Sequence, residues 1–334
     1  MLKPITLTGI KPTGAPHIGN YLGMIKPALS LVESYQAFYF IADYHALTTV
    51  RDPQEMRHLN YDVAATWLAL GLNPDEVVFY RQSDIPEVFE LTWVLSCMAG
   101  KGWLNRAHAY KAAVDANAEA ERDTDDGINM GLFNYPVLMA ADILLFGTDV
   151  VPVGADQRQH LEIARDIASA FNHVYGDVLT LPEARIQDDV MTITGLDGRK
   201  MSKSYHNTIQ IFAPSKQLRK QVMRIVTDTK SPDDPKNPDE CNIYAIYKHF
   251  AEPDRLTAVR EIYLKGGLAY GEMKQELFER LEVTFGEARE RYNNFMADTA
   301  MLDAILKRGA EKAHDLAQPM MQAVRRAVGM EKGE

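Results

Sequence analysis

The sequence predicts an α/β protein with a parallel sheet in its first half and an all-helical second part. In the first half, short β-branched and aromatic runs alternate with helical stretches, as strands joined by crossover helices do. Beyond residue 200, amphipathic helical patterns follow one another with few strand signals. We therefore expect a Rossmann-like domain at 1–198, a helical domain at 199–300 and a C-terminal helix at 301–334.

The elements of the first half follow from runs of β-propensity and from helical spacing of apolar residues. The predicted strands are 5–10, 37–42, 77–81 and 149–153, and the predicted helices are 19–34, 53–70, 88–98 and 157–171. Residues 100–134 break the alternation and are expected to be an insertion, whose acid-rich part at 119–126 forms a mobile, solvated loop. The passage from 172 to 198 is rich in turn residues.

The second half carries five amphipathic helical patterns and a linker, KSPDDP, at 230–235. The helices are predicted at 215–227, 241–251, 254–264, 271–296 and 298–328. Between 199 and 250, ten Lys or Arg stand against five Asp or Glu, a net charge of +5 in a chain whose total is −10. This asymmetry fits either a basic face for nucleic acid or an ordinary solvated helix surface.

Composition narrows the class of protein. A chain of 334 residues can bury the cores of two domains, and hydrophobic and charged fractions of 46% and 25% are ordinary for a globular protein. Cys97 and Cys241 are too few and too far apart for a disulfide framework, a zinc site or an iron–sulfur cluster. No segment approaches the ~20 apolar residues that a membrane helix needs, so we expect a cytoplasmic protein without a membrane partner.

The segment PTGAPHIGN at 12–20 joins the first strand to the first helix. In such a unit, glycine lets the backbone approach a phosphate, and the helix start offers free N–H groups. His17 and Asn20 lie three residues apart, so both can project from the first helical turn towards a nucleotide. Taken alone, the segment could be only a turn.

A second segment, KMSKS at 200–204, follows the turn GLDG at 195–198. Its two lysines and two serines lie in a short loop that can carry ammonium groups onto a polyphosphate. Taken alone, it could be a solvated loop. Together, in this order and with a nucleotide-binding type of fold between them, the two segments indicate the halves of one ATP site.

On these motifs the chain resembles the class I aminoacyl-tRNA synthetases, and its HIGN form is familiar in the tryptophanyl and tyrosyl branch. The resemblance runs from Thr8 to at least Thr229. It implies ATP with Mg²⁺, a helical region that binds a tRNA anticodon, and a homodimer. The catalytic residues that it implies are His17, Asn20, Lys200 and Lys203. The ATP-binding residues that it implies are Lys11, Pro12, Thr13, Gly19, Asn20, Gly154, Ala155, Asp156, Val190, Lys200, Met201, Ser202, Lys203 and Ser204.

The segment FNYPVLMAADIL at 133–144 bears on which amino acid is bound. Pro136 suits a first helical turn, and a helix that begins there has Tyr135, Met139 and Asp142 on one face. An Asp among Leu, Met, Ala and Ile needs a partner, and an indole ring offers a single N–H that only donates. A buried amphipathic helix whose Asp is capped or salt-bridged is the alternative.

The string LMAAD is similar to the tryptophanyl-tRNA synthetases, whereas tyrosyl relatives usually have Gln where this chain has Met139. The resemblance therefore implies L-tryptophan and tRNA(Trp) as substrates. The tryptophan-binding residues that it implies are Leu7, His45, Tyr135, Met139, Asp142, Val151, Val153 and Gln157. A structural histidine is an equal alternative for His45.

The implied reaction has two steps. The carboxylate of tryptophan attacks the α-phosphorus of ATP and expels pyrophosphate, and the aminoacyl group then passes to the 3′-terminal ribose of the tRNA. No protein nucleophile is needed, because catalysis rests on in-line positioning and on cationic groups around the leaving phosphates. Gly195 and Gly198 are expected to let the lysine loop close after ATP binds.

Some positions depart from the family pattern. Bacterial members usually read GIQPSG where this chain has GIKPTG at 9–14, and FKxK where it has YKAA at 110–113. We expect Lys11 to supply the phosphate-directed charge that is lost at Ala113. Leu7 stands where an aromatic residue is common against the indole, and no direction of effect follows from it.

Other functions stay open at this point. A tyrosyl-tRNA synthetase is the nearest, and Met139 weighs against it. A small-molecule adenylyltransferase shares the His-x-Gly chemistry without a tRNA, and the lysine loop and helical third weigh against it. A non-enzymatic RNA-binding relative would be expected to lose its ATP motifs, which are intact here.

Overall fold

The computed structural model describes residues 3–153, 158–186 and 193–331. In these ranges a five-stranded sheet has the order β3-β2-β1-β4-β5, and all of its pairings are parallel. The strands are β1 Ile5–Ile10, β2 Gln36–Ile41, β3 Val78–Arg81, β4 Val150–Val153 and β5 Glu183–Ile186. The strand order reverses between β1 and β4, and sheets of this kind bind ligands at the carboxyl ends of the strands beside that reversal.

Helices cover both faces of the sheet and make up the second half of the chain. The first half contains α1 Ile18–Asn20, α2 Lys26–Leu31, α3 Asp43–Ala46, α4 Pro53–Ala69, α5 Glu87–Ser96, α6 Lys101–Leu104, α7 His108–Glu119, α8 Met130–Leu144 and α9 Arg158–Tyr175. A π-helical segment, Tyr21–Ile25, joins α1 to α2. The second half contains α10 Ser215–Met223, α11 Asn242–Tyr247, α12 Pro253–Lys265, α13 Tyr270–Ala297 and α14 Thr299–Ala327.

The predicted fold class is confirmed, with two corrections to its elements. The passage read only as turns contains β5, a four-residue strand whose sequence EARI has no long β-branched run. The prediction that a helix begins at Pro136 is wrong. Helix α8 begins at Met130, because the side chain of Asn129 caps it by accepting from the Leu132 N–H at 3.0 Å. Pro136 lies inside the helix, yet Tyr135, Met139 and Asp142 keep their common face.

The insertion at 100–134 is helical for much of its length, with α6, α7 and the first turn of α8. Its acid-rich part comprises the end of α7 and the exposed turns that follow. The side-chain amide of Asn117 donates to the carbonyls of Thr124 and Asp126 at 3.1 and 2.8 Å, which folds these turns back on α7. The mobility of this loop stays a prediction.

Strand β2 shows how the sheet divides the core, since neighbouring side chains of a strand point to opposite faces. Phe38 and Phe40 pack into a core with α5, α8 and α9, whereas Tyr39 and Ile41 pack into a core with α4. Helix α14 contributes to both cores, so it wraps around β3 at the end of the sheet order. At Gly309 its backbone comes so close that an added Cβ would lie 1.7 Å from the carbonyl oxygen of Phe79.

The helical second half packs directly on the sheet region. Its core, built from α10 to α13, also takes in Ile18 and Leu22 from the start of the first helix. Helix α13 reaches α4, where the guanidinium of Arg291 donates to the carbonyl of Ala69 at 3.1 and 2.9 Å. Within the described ranges, we find no helix that combines the length and apolar character needed to cross a bilayer.

Candidate active site

The structure brings the two predicted motifs together through backbone pairing. The N–H of Ile18 donates to the carbonyl of Ile209 at 3.0 Å, and the N–H of Ile211 donates to that of Pro16 at 3.2 Å. These bonds flank an antiparallel bridge between His17 and Gln210. The start of α1 is therefore attached to the segment that follows the lysine loop.

His17 is the N-cap residue of α1 and is buried. Burial, and next the positive charge of Lys203, lower the pKa of its imidazole to about 4, so the ring is neutral at pH 7. Its Nδ1 atom has no hydrogen-bond partner among the described residues. A Cβ on Gly19 would lie 2.9 Å from that atom, which explains why glycine follows at this place. Asn20 accepts from the N–H of His17 through Oδ1 at 3.1 Å and lines the large cavity.

The lysine loop is organised by Asn207, a buried residue that sequence analysis did not identify. Its side-chain amide donates to Asp197 Oδ1 at 2.7 Å and to the carbonyl of Lys200 at 3.0 Å, and its Oδ1 accepts from the N–H of Ser202 at 2.8 Å. A Cβ on Gly195 would lie 2.3 Å from this amide nitrogen. Gly198 has φ +83°, a conformation that favours glycine. Both glycines thus have packing or backbone roles, and loop closure stays a prediction.

The two lysines of the loop occupy different environments. Lys203 is half-buried, and its ammonium donates to the carbonyl of Gly14 at 2.6 Å. Lys200 is exposed on the same loop. Met201 between them is buried in the core of the helical region, while Ser204 is exposed. The loop therefore places one ammonium beside the first motif and leaves the other in solvent.

Lys11 directly follows β1 and lines the cavities next to the first motif. Its ammonium donates to Thr48 Oγ1 at 2.9 Å, and burial lowers its pKa. Pro12 is buried beside it, and Thr13 lines a smaller cavity together with Lys203. The amino acid at position 11 is thus placed to add positive charge between the two motifs.

One cavity of about 650 Å³ joins the predicted tryptophan-binding residues to the first motif. It is lined by Leu7, His45, Tyr135, Met139, Asp142 and Val151 on one side and by Lys11, Gly19 and Asn20 on the other. Val153 is the last residue of β4. The predicted residues Gly154, Ala155, Asp156, Gln157 and Val190 lie outside the described residues.

Asp142 lies at this cavity and is almost fully buried, but it does not lack protein partners as the sequence suggested. His45 Nε2 is 2.9 Å from Asp142 Oδ2, and the amide of Gln82 donates to Oδ1 and Oδ2 at 2.8 and 2.9 Å. Burial raises the pKa of this carboxyl, and the bonds from His45 and Gln82 oppose the rise. A carboxylate has about four acceptor positions, so Oδ1 has room for one further donor.

Two partners in this pocket were missed by sequence analysis. Gln82 follows β3, and its position at the carboxyl end of a strand was the signal that could have identified it. His160 lies on α9 and is hydrogen-bonded through Nε2 to the hydroxyl of Tyr135. No local pattern marks His160, because only the packing of α9 against α8 brings it to Tyr135.

The electrostatics separate the cavity into two ends. Lys11 and Lys203 supply positive charge at the first motif, and Asp142 supplies a buried acceptor at the other end. Among the described residues, no group of three or more His, Cys, Asp or Glu side chains is arranged to hold a metal ion. The arrangement suits a polyphosphate at one end and an apolar ring with one N–H donor at the other.

Known proteins are similar to this chain over most of its length. The family model of tRNA synthetases class I (W and Y) matches residues 3–286. A Pseudomonas aeruginosa protein named tryptophan–tRNA ligase is 53% identical over 97% of this chain and 73% of its own. A Neisseria meningitidis protein of the same name is 49% identical over 99% of both chains.

A solved structure is also similar to this chain in its overall fold. The crystal structure of tryptophanyl-tRNA synthetase from Campylobacter jejuni, complexed with ADP and tryptophan, has a TM-score of 0.89 and 46% identity over 97% of this chain and 99% of that one. The region matched by the family model contains both motifs and the cavity between them. The chain therefore belongs to the class I tRNA synthetases of the tryptophan and tyrosine branch.

Proposed function

We propose that this chain is a tryptophan–tRNA ligase, which activates L-tryptophan with ATP and transfers it to the 3′ end of tRNA(Trp). The single observation that carries the proposal is the position of Asp142, a buried carboxylate in the same cavity as the HIGN motif. The names of the relatives described above support the same activity. The relatives at about 50% identity described above are named tryptophan–tRNA ligases, which favours tryptophan over the tyrosine that the same family model covers.

In the amino-acid end of the cavity, Asp142 Oδ1 accepts the indole N–H, and Met139, Leu7 and Val151 contact the ring. His45 and Gln82 hold the carboxylate in place, so His45 acts through Asp142 as well as lining the pocket. A phenylalanine ring would leave the Asp142 carboxylate without its fourth donor, which is a larger penalty than the loss of one methylene's packing. Tyr135 and Gln157 hold the α-amino group.

In the phosphate end, neutral His17 and the amide of Asn20 donate to phosphate oxygens. Lys11, Lys200 and Lys203 neutralise charge that develops on the leaving pyrophosphate. Gly154, Ala155 and Asp156 contact the ribose, and the backbone of Val190 contacts the adenine. Mg²⁺, which the family resemblance implies, would enter with ATP as part of the substrate and would neutralise charge on its phosphate oxygens.

The partners of the enzyme are a tRNA and a second copy of the chain. The helical region after the lysine loop binds the anticodon side of tRNA(Trp), which its positive charge between 199 and 250 supports.

Phe89 and Trp93 lie four residues apart on α5 with 48% and 72% of their surface exposed, and this apolar face suits a homodimer contact. Sedimentation of a Trp93→Glu variant tests the dimer, because a monomer is expected only if this face forms the contact. The reaction takes place in the cytoplasm, where Cys97 and Cys241 stay free thiols.

Amino-acid-dependent ATP–pyrophosphate exchange tests the proposed activity. We expect exchange with L-tryptophan and only background rates with L-tyrosine or L-phenylalanine. Charging of tRNA(Trp) transcript under the same conditions tests the second step. A faster exchange rate with tyrosine than with tryptophan, or exchange without any added amino acid, would refute the assignment.

A further inference from the structure

A small cavity of about 120 Å³ lies between the lysine loop and the buried second half of α4. Lys203 lines it from the loop, Gly14 and Asn20 line it from the first motif, and Asp62 lines it from α4. The cavity is separate from the amino-acid end of the large pocket, since neither Asp142 nor Tyr135 reaches it. None of the roles described so far uses Asp62.

Asp62 is fixed from the helical half of the molecule. It is 4% exposed, and the hydroxyl of Tyr292 on α13 donates to its Oδ1 at 2.5 Å. The ring of Tyr292 stacks on Phe212, with centroids 4.4 Å apart and planes at 20°. Phe212 directly follows Ile211, which pairs with Pro16 of the first motif. Asp62 therefore has a defined position that depends on α13.

Lys203 brings a positive charge to the same small space. Its ammonium bonds the Gly14 carbonyl, and the side chain is half-buried. Burial lowers the pKa of Lys203, and the carboxylate of Asp62 acts in the opposite direction. The other titratable side chains near the pair are His17, which is neutral, Lys11 across the cavity, and His58 on α4.

We propose that Asp62 is a positioning residue for Lys203. The Asp62 carboxylate, which accepts the hydroxyl of Tyr292, attracts the ammonium of Lys203. It keeps that ammonium charged beside Gly14, where it is to bind the phosphates of ATP. The hydrogen bond from Tyr292 on α13 to Asp62 connects the helical half of the chain to the small cavity that Lys203 lines. The proposal rests on the proposed function only for the statement that Lys203 meets ATP.

The first test measures the charge state of Lys203 without substrate. Competitive acetylation followed by mass spectrometry gives the pKa of individual lysines in the full-length protein, and exposed Lys200 serves as an internal reference. Asp62→Asn should lower the pKa of Lys203, since an opposite charge that lines the same cavity is removed, and should leave the labelling of Lys200 unchanged. Tyr292→Phe keeps the stacked ring but removes the hydroxyl that donates to Asp62. It should lower the pKa of Lys203 by a smaller amount than Asp62→Asn does.

Asp303→Asn is the matched control. Asp303 on α14 also accepts a tyrosine hydroxyl, that of Tyr61 at 2.9 Å, but it does not line the small cavity. This variant should leave the pKa of Lys203 unchanged. If Asp62→Asn does not fold, as thermal melting would show, Tyr292→Phe decides the question alone.

The second test asks whether the two side chains act together. Asp62→Asn should lower kcat/KM for ATP about tenfold in pyrophosphate exchange, with KM for tryptophan unchanged. In a Lys203→Met background the same substitution should have less than a twofold effect. An unchanged Lys203 pKa in folded Asp62→Asn, or an equal loss in both backgrounds, would overturn the inference. Absence of tryptophan-dependent exchange in the wild type would instead count against the proposed function, because the labelling test needs no substrate.

Discussion

The backbone N–H of Ile18 donates to the carbonyl oxygen of Ile209 at 3.0 Å, and this bond fastens the first motif to the far end of the lysine loop. At its near end the loop is held by the N–H of Met201, which donates to the carbonyl of Ile193 at 2.7 Å. Residues 202–208 lie between these two attachments. Lys203 lies in that span.

Asn207→Ala should impair the use of ATP, with only a moderate loss in the free energy of unfolding. The substitution removes three hydrogen bonds that hold Asp197, Lys200 and Ser202 together. We expect KM for ATP to rise and kcat for exchange to fall, with a loss of about 1–3 kcal/mol in unfolding free energy.

Asn172→Ala is the control for this variant. Asn172 also fixes a turn by three bonds, to the N–H groups of Val178 and Leu179 and to the carbonyl of Leu179. It should lose similar stability and keep its kinetic constants. Equal kinetic losses in the two variants would mean that Asn207 matters only for folding.

Gln82→Leu should weaken tryptophan binding selectively. The amide of Gln82 donates to both oxygens of Asp142, and its loss leaves a buried carboxylate with His45 alone. An unsatisfied buried group costs about 1–3 kcal/mol, so KM for tryptophan should rise by about 5- to 150-fold while KM for ATP stays the same. Ser83→Ala is the matched control, because the neighbouring hydroxyl bonds Asp43 instead. A KM for tryptophan that stays at the wild-type value would contradict this role.

Lys11→Gln should slow adenylate formation strongly and leave tryptophan affinity nearly intact. The reason is that Lys11 provides positive charge at the end of β1, in the cavity shared by both substrates. Thr48→Val removes the hydrogen bond at 2.9 Å but keeps the charge, and its exchange rate should stay close to that of the wild type. An unchanged exchange rate in Lys11→Gln would refute the charge role.

Gly309→Ala should strongly destabilise the fold. The added Cβ would lie 1.7 Å from the Phe79 carbonyl oxygen, and backbone cannot yield as a flexible side chain can. We expect a loss of at least about 3 kcal/mol in unfolding free energy, measured by urea denaturation. In Gly286→Ala on α13 the new Cβ meets nothing within 4 Å, and this control should be stabilised by up to about 1 kcal/mol. A mild effect at position 309 would mean that α14 does not lie against β3 as described.

The depressed pKa of His17 makes stability depend on pH. The pKa is about 4 in the fold against an ordinary value of 6.5, so the unfolded chain binds the proton first as pH falls. The stabilising contribution is present above pH 6.5 and is lost between pH 6.5 and about 4. His17→Gln should flatten the fall in unfolding free energy over this window.

His249→Gln should also flatten the fall in unfolding free energy between pH 6.5 and about 4. Burial and the charges of Lys248 and Lys26 lower the pKa of His249 to about 4 as well. Only the His17 variant should lose exchange activity. Denaturation curves at a series of pH values check both. Parallel pH profiles for wild type and His17→Gln would contradict the assignment.

Sequence reasoning identified His17, Lys203, Met139 and Asp142 from short local patterns. The structure places Met139 and Asp142 at the large cavity and Lys203 at the small one, while His17 is buried at the start of α1. Their roles stay predictions. It was weaker where a local pattern has more than one solution. Pro136 fits both a first helical turn and a helix interior, and the capping side chain of Asn129 decided between them.

The sequence by itself determined β1 to β4 with the main helices that follow them, the two predicted ATP motifs and the acid on the face of α8, because propensity, periodicity and motif spacing are local properties of the chain. Only the tertiary structure decided which side chains meet. Gln82 and His45 reach Asp142 from 60 and 97 residues away, and Tyr292 reaches Asp62 from 230 residues away. Contacts over such separations depend on how helices pack on the sheet, and no local pattern of residues encodes them.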